Sequence, residues 1–203
     1  MDYERCKLAN LSQKAILLIW AALSTSARGE SVGPNVDEVI RAHWKNYQRG
    51  RPEPVERLIL HTIEGDASDA ITWFRHPRSQ VSAHYIIARS GSLIRMVDEK
   101  DMAYHARFNN NNSIGIEHAG YGGLGDFTEE TMKTSVLLAC HLTLKYNIPV
   151  DRNHIQGHQT LKGNFHKPDP GPYWPWEWYL QSIKNCHGKR IRLGLLNSTK
   201  LLF

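Results

Sequence analysis

The sequence of 203 residues is short of several things that would each define a class of protein. It has three cysteines, too few for a disulfide scaffold. It has no run of 18 or more apolar residues, which excludes a conventional transmembrane helix. It has no internal repeat and no domain linker. Its glycine-rich stretch, Gly120 to Gly125 (GYGGLG), lacks the Lys-Ser/Thr that would follow in a phosphate-binding loop. Acidic residues are missing from Lys184 onward, where Lys184, Lys189, Arg190, Arg192 and Lys200 account for the whole net charge of +5. A tail of that sign suits anionic polymers or lipid, while the plainer reading is a solvated, frayed terminus. The recognition helix, zinc-finger spacing and aromatic platform of a nucleic-acid binder are also absent, so no nucleic-acid partner is expected.

What is present suits one globular domain, since 41% of the residues are apolar and the chain is long enough to bury a core. At the N-terminus, Arg5, Lys7 and Lys14 precede an apolar stretch from Ala15 to Leu23 and the small residues Ser24 to Ala27. Residues 1–27 therefore read as a signal peptide for export to the periplasm, cell wall or medium. A short amphipathic N-terminal helix and a cytoplasmic location form the alternative. Residues 28–54 make a lead-in with one short helix around Val36 to Tyr47, residues 55–183 the domain itself, and residues 184–203 a basic tail. Cys6 would leave with a signal peptide, and Cys140 falls in an apolar helical run. No spacing argues for a bridge from Cys140 to Cys186, so free thiols are the favoured reading.

Within the domain, Arg57 to His61 (RLILH) is a short apolar run that reads as a buried strand. Asp66 to Phe74 has helical spacing, with Pro77 beyond it. His84 to Ala88 and Ser92 to Val97 flank Ser90-Gly91 as a hairpin would. Ser113 to His118 (SIGIEH) and His154 to Gly157 are further strands. Thr128 to Tyr146 is the longest helix, ended by Asn147 and Pro149, and Trp174 to Ile183 is the last. Strands alternating with helices, plus one hairpin, predict an α/β fold: a single three-layer domain with a mixed central β-sheet flanked by helices.

Eleven histidines stand out, because imidazole is both a metal ligand and a proton carrier near neutral pH. His61 and His158 end strands, and Asp169 opens the turn Asp169 to Tyr173 (DPGPY). Two histidines and a carboxylate are a donor set for catalytic zinc with one position left for water. Taken alone, scattered groups of this kind do not specify a site.

Four segments in order do more. They are LHTIEG (Leu60 to Gly65), SAHYIIARSGSLIRMV (Ser82 to Val97), AYHARFNNNNSIGIEHAG (Ala103 to Gly120) and GHQTLKGNFHKPDPGPYWPW (Gly157 to Trp176). Across about residues 55–182 the chain resembles the type 2 N-acetylmuramoyl-L-alanine amidases, which share a fold with peptidoglycan recognition proteins and phage lysozyme-amidases. The resemblance implies Zn2+ held by His61, His158 and Asp169, with Glu117 as general acid and base and Lys167 as oxyanion donor. It places His105 in the cleft as a substrate contact and makes peptidoglycan, or muropeptides cut from it, the substrate. The stretch from His158 to Asp169 is slightly longer than usual, which leaves His166 as a rival ligand to Asp169. The chemistry agrees: zinc lowers the pKa of bound water to about 7, a carboxylate can move its proton, and a cation can meet the oxyanion. His84 is expected beside the site or in the core, Asn109 to Asn112 in a turn, and Trp73, Trp174 and Trp176 in core packing. His118, His141, His154 and His187 are expected to be structural or on the surface. A non-catalytic peptidoglycan-binding module on the same fold is the competing reading, disfavoured by the complete donor set. Nothing in the sequence indicates an oligomeric state.

Overall fold

A computed structural model of the chain describes residues 33–161 and 168–199, with residues 191–199 described by backbone alone. The expected signal peptide, Lys167 and His166 lie outside the described residues.

Among the described residues eight strands are formed: β1 (Glu38–Val39), β2 (Tyr47–Gln48), β3 (Arg57–Thr62), β4 (Tyr85–Ile87), β5 (Leu93–Arg95), β6 (Met102–Ala103), β7 (Ser113–His118) and β8 (Ile155–Gly157). Three helices accompany them: α1 (Ala67–Arg75), α2 (Glu129–Lys145) and α3 (Trp176–Thr199). Six strands make one mixed sheet in the order β1-β5-β4-β7-β3-β8, and β2 pairs with β6 beside it. The β4–β5 hairpin is antiparallel, whereas β4, β7, β3 and β8 run parallel. Along the chain α1 links β3 to the parallel β4 and α2 links β7 to the parallel β8, the long crossovers that parallel strands need.

Both faces of the central strands are covered, which is why β3 reads as a nearly unbroken apolar run. Leu58 and Leu60 alternate with Ile59 and His61 along it. The first pair joins Ile114, Ile116, Ile155 and the inner faces of α2 and α3 in the main core. Ile59 packs on the other side, with Ala106 and Leu161. Ala70 and Phe74 of α1 close a second cluster over Ile86 and Ile94. The helix starts follow local chemistry. The Asp69 carboxylate accepts the Asp66 N–H at 2.9 Å ahead of α1, and the Thr128 hydroxyl accepts the Thr131 N–H at 3.1 Å ahead of α2. Among the described residues no helix is long and apolar enough to cross a membrane.

Four expectations need correcting. Val36 to Tyr47 is not a helix. Asp37, Ile40 and Ala42 send their N–H groups to the carbonyls of Leu93, Arg95 and Met96, so this segment edges the sheet before a 3-10 turn at Trp44–Asn46. The last helix does not stop at Ile183 but continues to Thr199, so the basic segment is helical over most of its length. Cys140 and Cys186 are joined in a disulfide that ties α2 to α3 across 46 residues of chain. Trp73 is half exposed, unlike the buried Trp174, because α1 turns its Ala70 and Phe74 face inward and Trp73 away from it.

The disulfide generates a direct prediction. The denatured, unreduced chain carrying residues 1–203 should titrate one thiol, that of Cys6, and three after reduction. Substituting both Cys140 and Cys186 by serine should lower unfolding stability in urea by about 2–4 kcal/mol. Three free thiols before reduction would contradict the pairing.

Candidate metal site and cleft

Register fixes the first part of the site. In the parallel β3–β7 ladder His61 sits opposite Glu117, so both side chains leave the same face at the C-terminal ends of their strands. β8 ends beside β3 at Gly157, and His158 follows at once in a 3-10 turn. Asp169 comes from the DPG turn. Its carbonyl accepts the Gln159 N–H at 3.1 Å, and the Thr62 hydroxyl donates to the Pro170 carbonyl at 3.2 Å. Gly171 has φ of 95°, and a Cβ there would stand 2.2 Å from the Gly122 carbonyl oxygen. The glycine-rich loop is thus a seat for the turn that carries Asp169, held in turn by the Glu64 carboxylate, which accepts the Gly122 N–H at 2.9 Å.

The expected ligands converge. His61, His158 and Asp169 are only 2%, 7% and 7% exposed, and their donor atoms lie within 4.8 Å of one another. Asp169 Oδ2 is 2.9 Å from His61 Nδ1 and 3.2 Å from His158 Nδ1. Ligands bound tetrahedrally at zinc–nitrogen distances of 2.0–2.1 Å stand roughly 3.3 Å apart, and these two separations suit such an ion. His158 Nε2 is buried with no hydrogen-bond partner among the described residues, while its Nδ1 faces the Asp169 carboxylate. Burial alone would raise the pKa of Asp169, but the neighbouring imidazoles of His158 and His61 outweigh it and hold the carboxyl well below the usual range.

Around this set lies a cleft of about 940 Å³, lined among others by Glu64, Trp73, Tyr104, His105, Arg107 and Glu117. His105 lies in the cleft wall as expected, yet both its ring nitrogens are engaged. Nδ1 is 3.0 Å from His61 Nε2, and Nε2 is 3.2 Å from the Ser113 hydroxyl. Burial, then the neighbouring His61, His84 and His158, push its pKa far below the ordinary histidine value. His84 is wholly buried beside it, and burial followed by the Arg51 charge brings its pKa down to about 3. Arg51 was not legible as a site-supporting residue. Its guanidinium donates to the carbonyls of Glu99, Asp101, Asn111 and Ser113, beneath the cleft. Asn109 falls in a 3-10 turn at Arg107–Asn110, as a run of asparagines suggests.

A buried pair of histidines with one carboxylate, beside a second carboxylate in an open cleft, is the layout of a metal-dependent hydrolase. The family profile described as N-acetylmuramoyl-L-alanine amidase matches residues 51–172, and the chain belongs to that family. N-acetylmuramoyl-L-alanine amidase A of Achromobacter lyticus is 33% identical over 149 residues, covering 64% of this chain and 84% of that protein. The 1,6-anhydro-N-acetylmuramyl-L-alanine amidase AmpD of Haemophilus influenzae is 32% identical over 163 residues, covering 68% and 87%. In structure, a selenomethionine derivative of AmpD matches with a TM-score of 0.62 at 23% identity, over 78% of this chain and 99% of that one, a likeness of fold.

His118 supports the site from the other side of the sheet. Its Nδ1 donates to the His61 carbonyl at 2.8 Å, and its Nε2 accepts from Ser135 at 2.7 Å. Burial drives its pKa down to about 4. A histidine buried neutral binds its proton more readily in the unfolded chain. Its contribution is therefore complete above about pH 6.5 and is lost as the pH falls to about 4, a span worth on the order of 3 kcal/mol. Urea unfolding of metal-free protein at pH 7 and pH 4.5 should show this loss, and His118→Gln should lose less between the two. Equal losses in parent and variant would remove His118 from the acid limb.

Proposed function

We propose that this amidase hydrolyses the bond between N-acetylmuramic acid and L-alanine in peptidoglycan or its fragments, with zinc held by His61, His158 and Asp169. The observation that carries the reading is the convergence of these three buried groups, in the family's domain, within reach of a cleft that also contains Glu117. Zinc bound there would polarise the scissile carbonyl and lower the pKa of water to about 7. Glu117, in register with His61, takes the proton of the attacking water and passes it to the leaving amine of L-alanine. Lys167 hydrogen-bonds the developing oxyanion, a role that rests on the resemblance of its segment. His105 meets substrate through its ring edge, its nitrogens being occupied. The exposed indole of Trp73 and the guanidinium of Arg107 give the cleft an apolar rim and a cation. That combination suits a ligand with a sugar ring and a carboxylate-bearing stem peptide.

The Cys140–Cys186 bridge favours export over a cytoplasmic location, since disulfides persist in oxidising compartments.

Glu117→Gln should keep its zinc and release stem peptide at least about 100-fold more slowly than the parent. Asp169→Ala should lose both zinc and turnover. Metal content after dialysis and mass spectrometry of a digested muropeptide read the two effects. Stem peptides that begin with the free amine of L-alanine are the expected product. A Glu117→Gln enzyme at parental rate would remove Glu117 from the mechanism, and products cut at any other bond would refute the activity.

A further inference from the structure

We infer that His105 and Ser113 are positioning residues that fix the tautomer of His61, so that its Nδ1 meets the metal as a lone pair; the inference rests on the metal reading above. The direction of each hydrogen bond follows from one fixed point. The Ser113 hydroxyl has a single proton, and it goes to the Asn109 carbonyl, which can only accept. The same oxygen must therefore accept from His105 Nε2, 3.2 Å away. A neutral imidazole with its proton on Nε2 has an acceptor at Nδ1, so the 3.0 Å contact to His61 is a donation from His61 Nε2–H. His61 Nδ1 is then left with its lone pair directed at Asp169 Oδ2 at 2.9 Å. Two acceptors that close repel one another unless a cation lies between them. The relay thus delivers the tautomer that a metal ligand needs.

The surroundings of His105 are built for this role. A Cβ on Gly115 would stand 2.6 Å from His105 Cγ and Nδ1, so the glycine in the middle of β7 makes room for the ring. The Asn110 side-chain oxygen accepts the N–H groups of His105 and Ala106 at 3.0 and 2.6 Å. The His84 ring stands edge-on to His105 with centroids 5.7 Å apart. The His84 ring is held at Nδ1 by the Gly115 N–H, which donates to it at 3.0 Å, and its Nε2 stands 3.1 Å from the Asp101 carbonyl and 3.0 Å from Arg51 Nη2. Metal-bound histidines commonly donate their second N–H to a carboxylate, a carbonyl or water. Here the acceptor is another histidine, which accepts at Nδ1 only while Ser113 holds its proton on Nε2.

The test uses the full chain, zinc as the probe and chelator competition as the readout. His105→Ala should weaken zinc binding about 10–100-fold. His105→Asn, which keeps an acceptor near the position of Nδ1, should recover much of the loss, as filling the space alone would not. Ser113→Ala frees the His105 tautomer and should also weaken binding. Long-range proton–nitrogen NMR of the metal-free parent should find the His61 proton on Nε2, and Ser113→Ala should mix the two tautomers. Unfolding in excess chelator checks that each variant is folded; if His105→Ala is not, Ser113→Ala decides. Parental zinc affinity in His105→Ala and Ser113→Ala, or a His61 proton on Nδ1 in the metal-free parent, would overturn the inference while leaving the metal reading intact. A parent that binds no zinc would overturn both.

Discussion

The parallel register between β3 and β7 is the constraint on which the site depends. Pairing His61 with Glu117 puts an imidazole and a carboxylate on one face of a rigid sheet, at neighbouring strand ends. A slip of one residue in either strand would turn its own site residue toward α2 and α3 and bring Leu60 or Ile116 into the cleft. The same ladder sets Gly115 beside Ile59, and so provides the flat place on which His105 lies. Core packing and site geometry are thus one specification: the alternation that buries Leu58 and Leu60 against the helices is what aims His61 the other way.

Asp169 reaches the site by different means. Asp169 comes from a turn, and turns need external support to hold a side chain in place. That support comes from the close seat of Gly171 on Gly122, the Thr62 hydroxyl on the Pro170 carbonyl, and the Asp169 carbonyl on Gln159. The far side of the sheet takes part as well. Tyr179 of α3 donates to Ser135 of α2, which donates to His118, which donates to the backbone of His61. The disulfide joins those same two helices. The covalent link and the polar chain both tie the helical layer to the strand that carries His61.

Much of this was legible in the sequence. Buried strands announce themselves as short apolar runs, so RLILH and SIGIEH were readable as β3 and β7, and Thr128 marked the start of α2. The cluster of His61, His158 and Asp169 was readable only because four segments in order resemble one family; periodicity says nothing about which of eleven histidines meet. What escaped was set by contacts distant in sequence. Helix crossing, and not cysteine spacing, decides that Cys140 meets Cys186. The edge strand at Glu38–Val39 depends on the carbonyls offered by β5, which a local pattern does not contain. Arg51 shows no local signal at all, because its role is to satisfy carbonyls up to 62 residues away. Trp73, at helical spacing beside apolar residues, reads as a core residue, whereas the turn of α1 points it along the cleft.

The most direct test of a metal-dependent site is to follow activity and bound metal together in one preparation. Protein stripped by a chelator should lose its cleavage of purified peptidoglycan or of soluble muropeptide, and zinc should restore it in proportion to occupancy, reaching the full rate at one ion per chain. Full cleavage by protein verified to be metal-free would contradict the assignment of His61, His158 and Asp169 as a catalytic metal site.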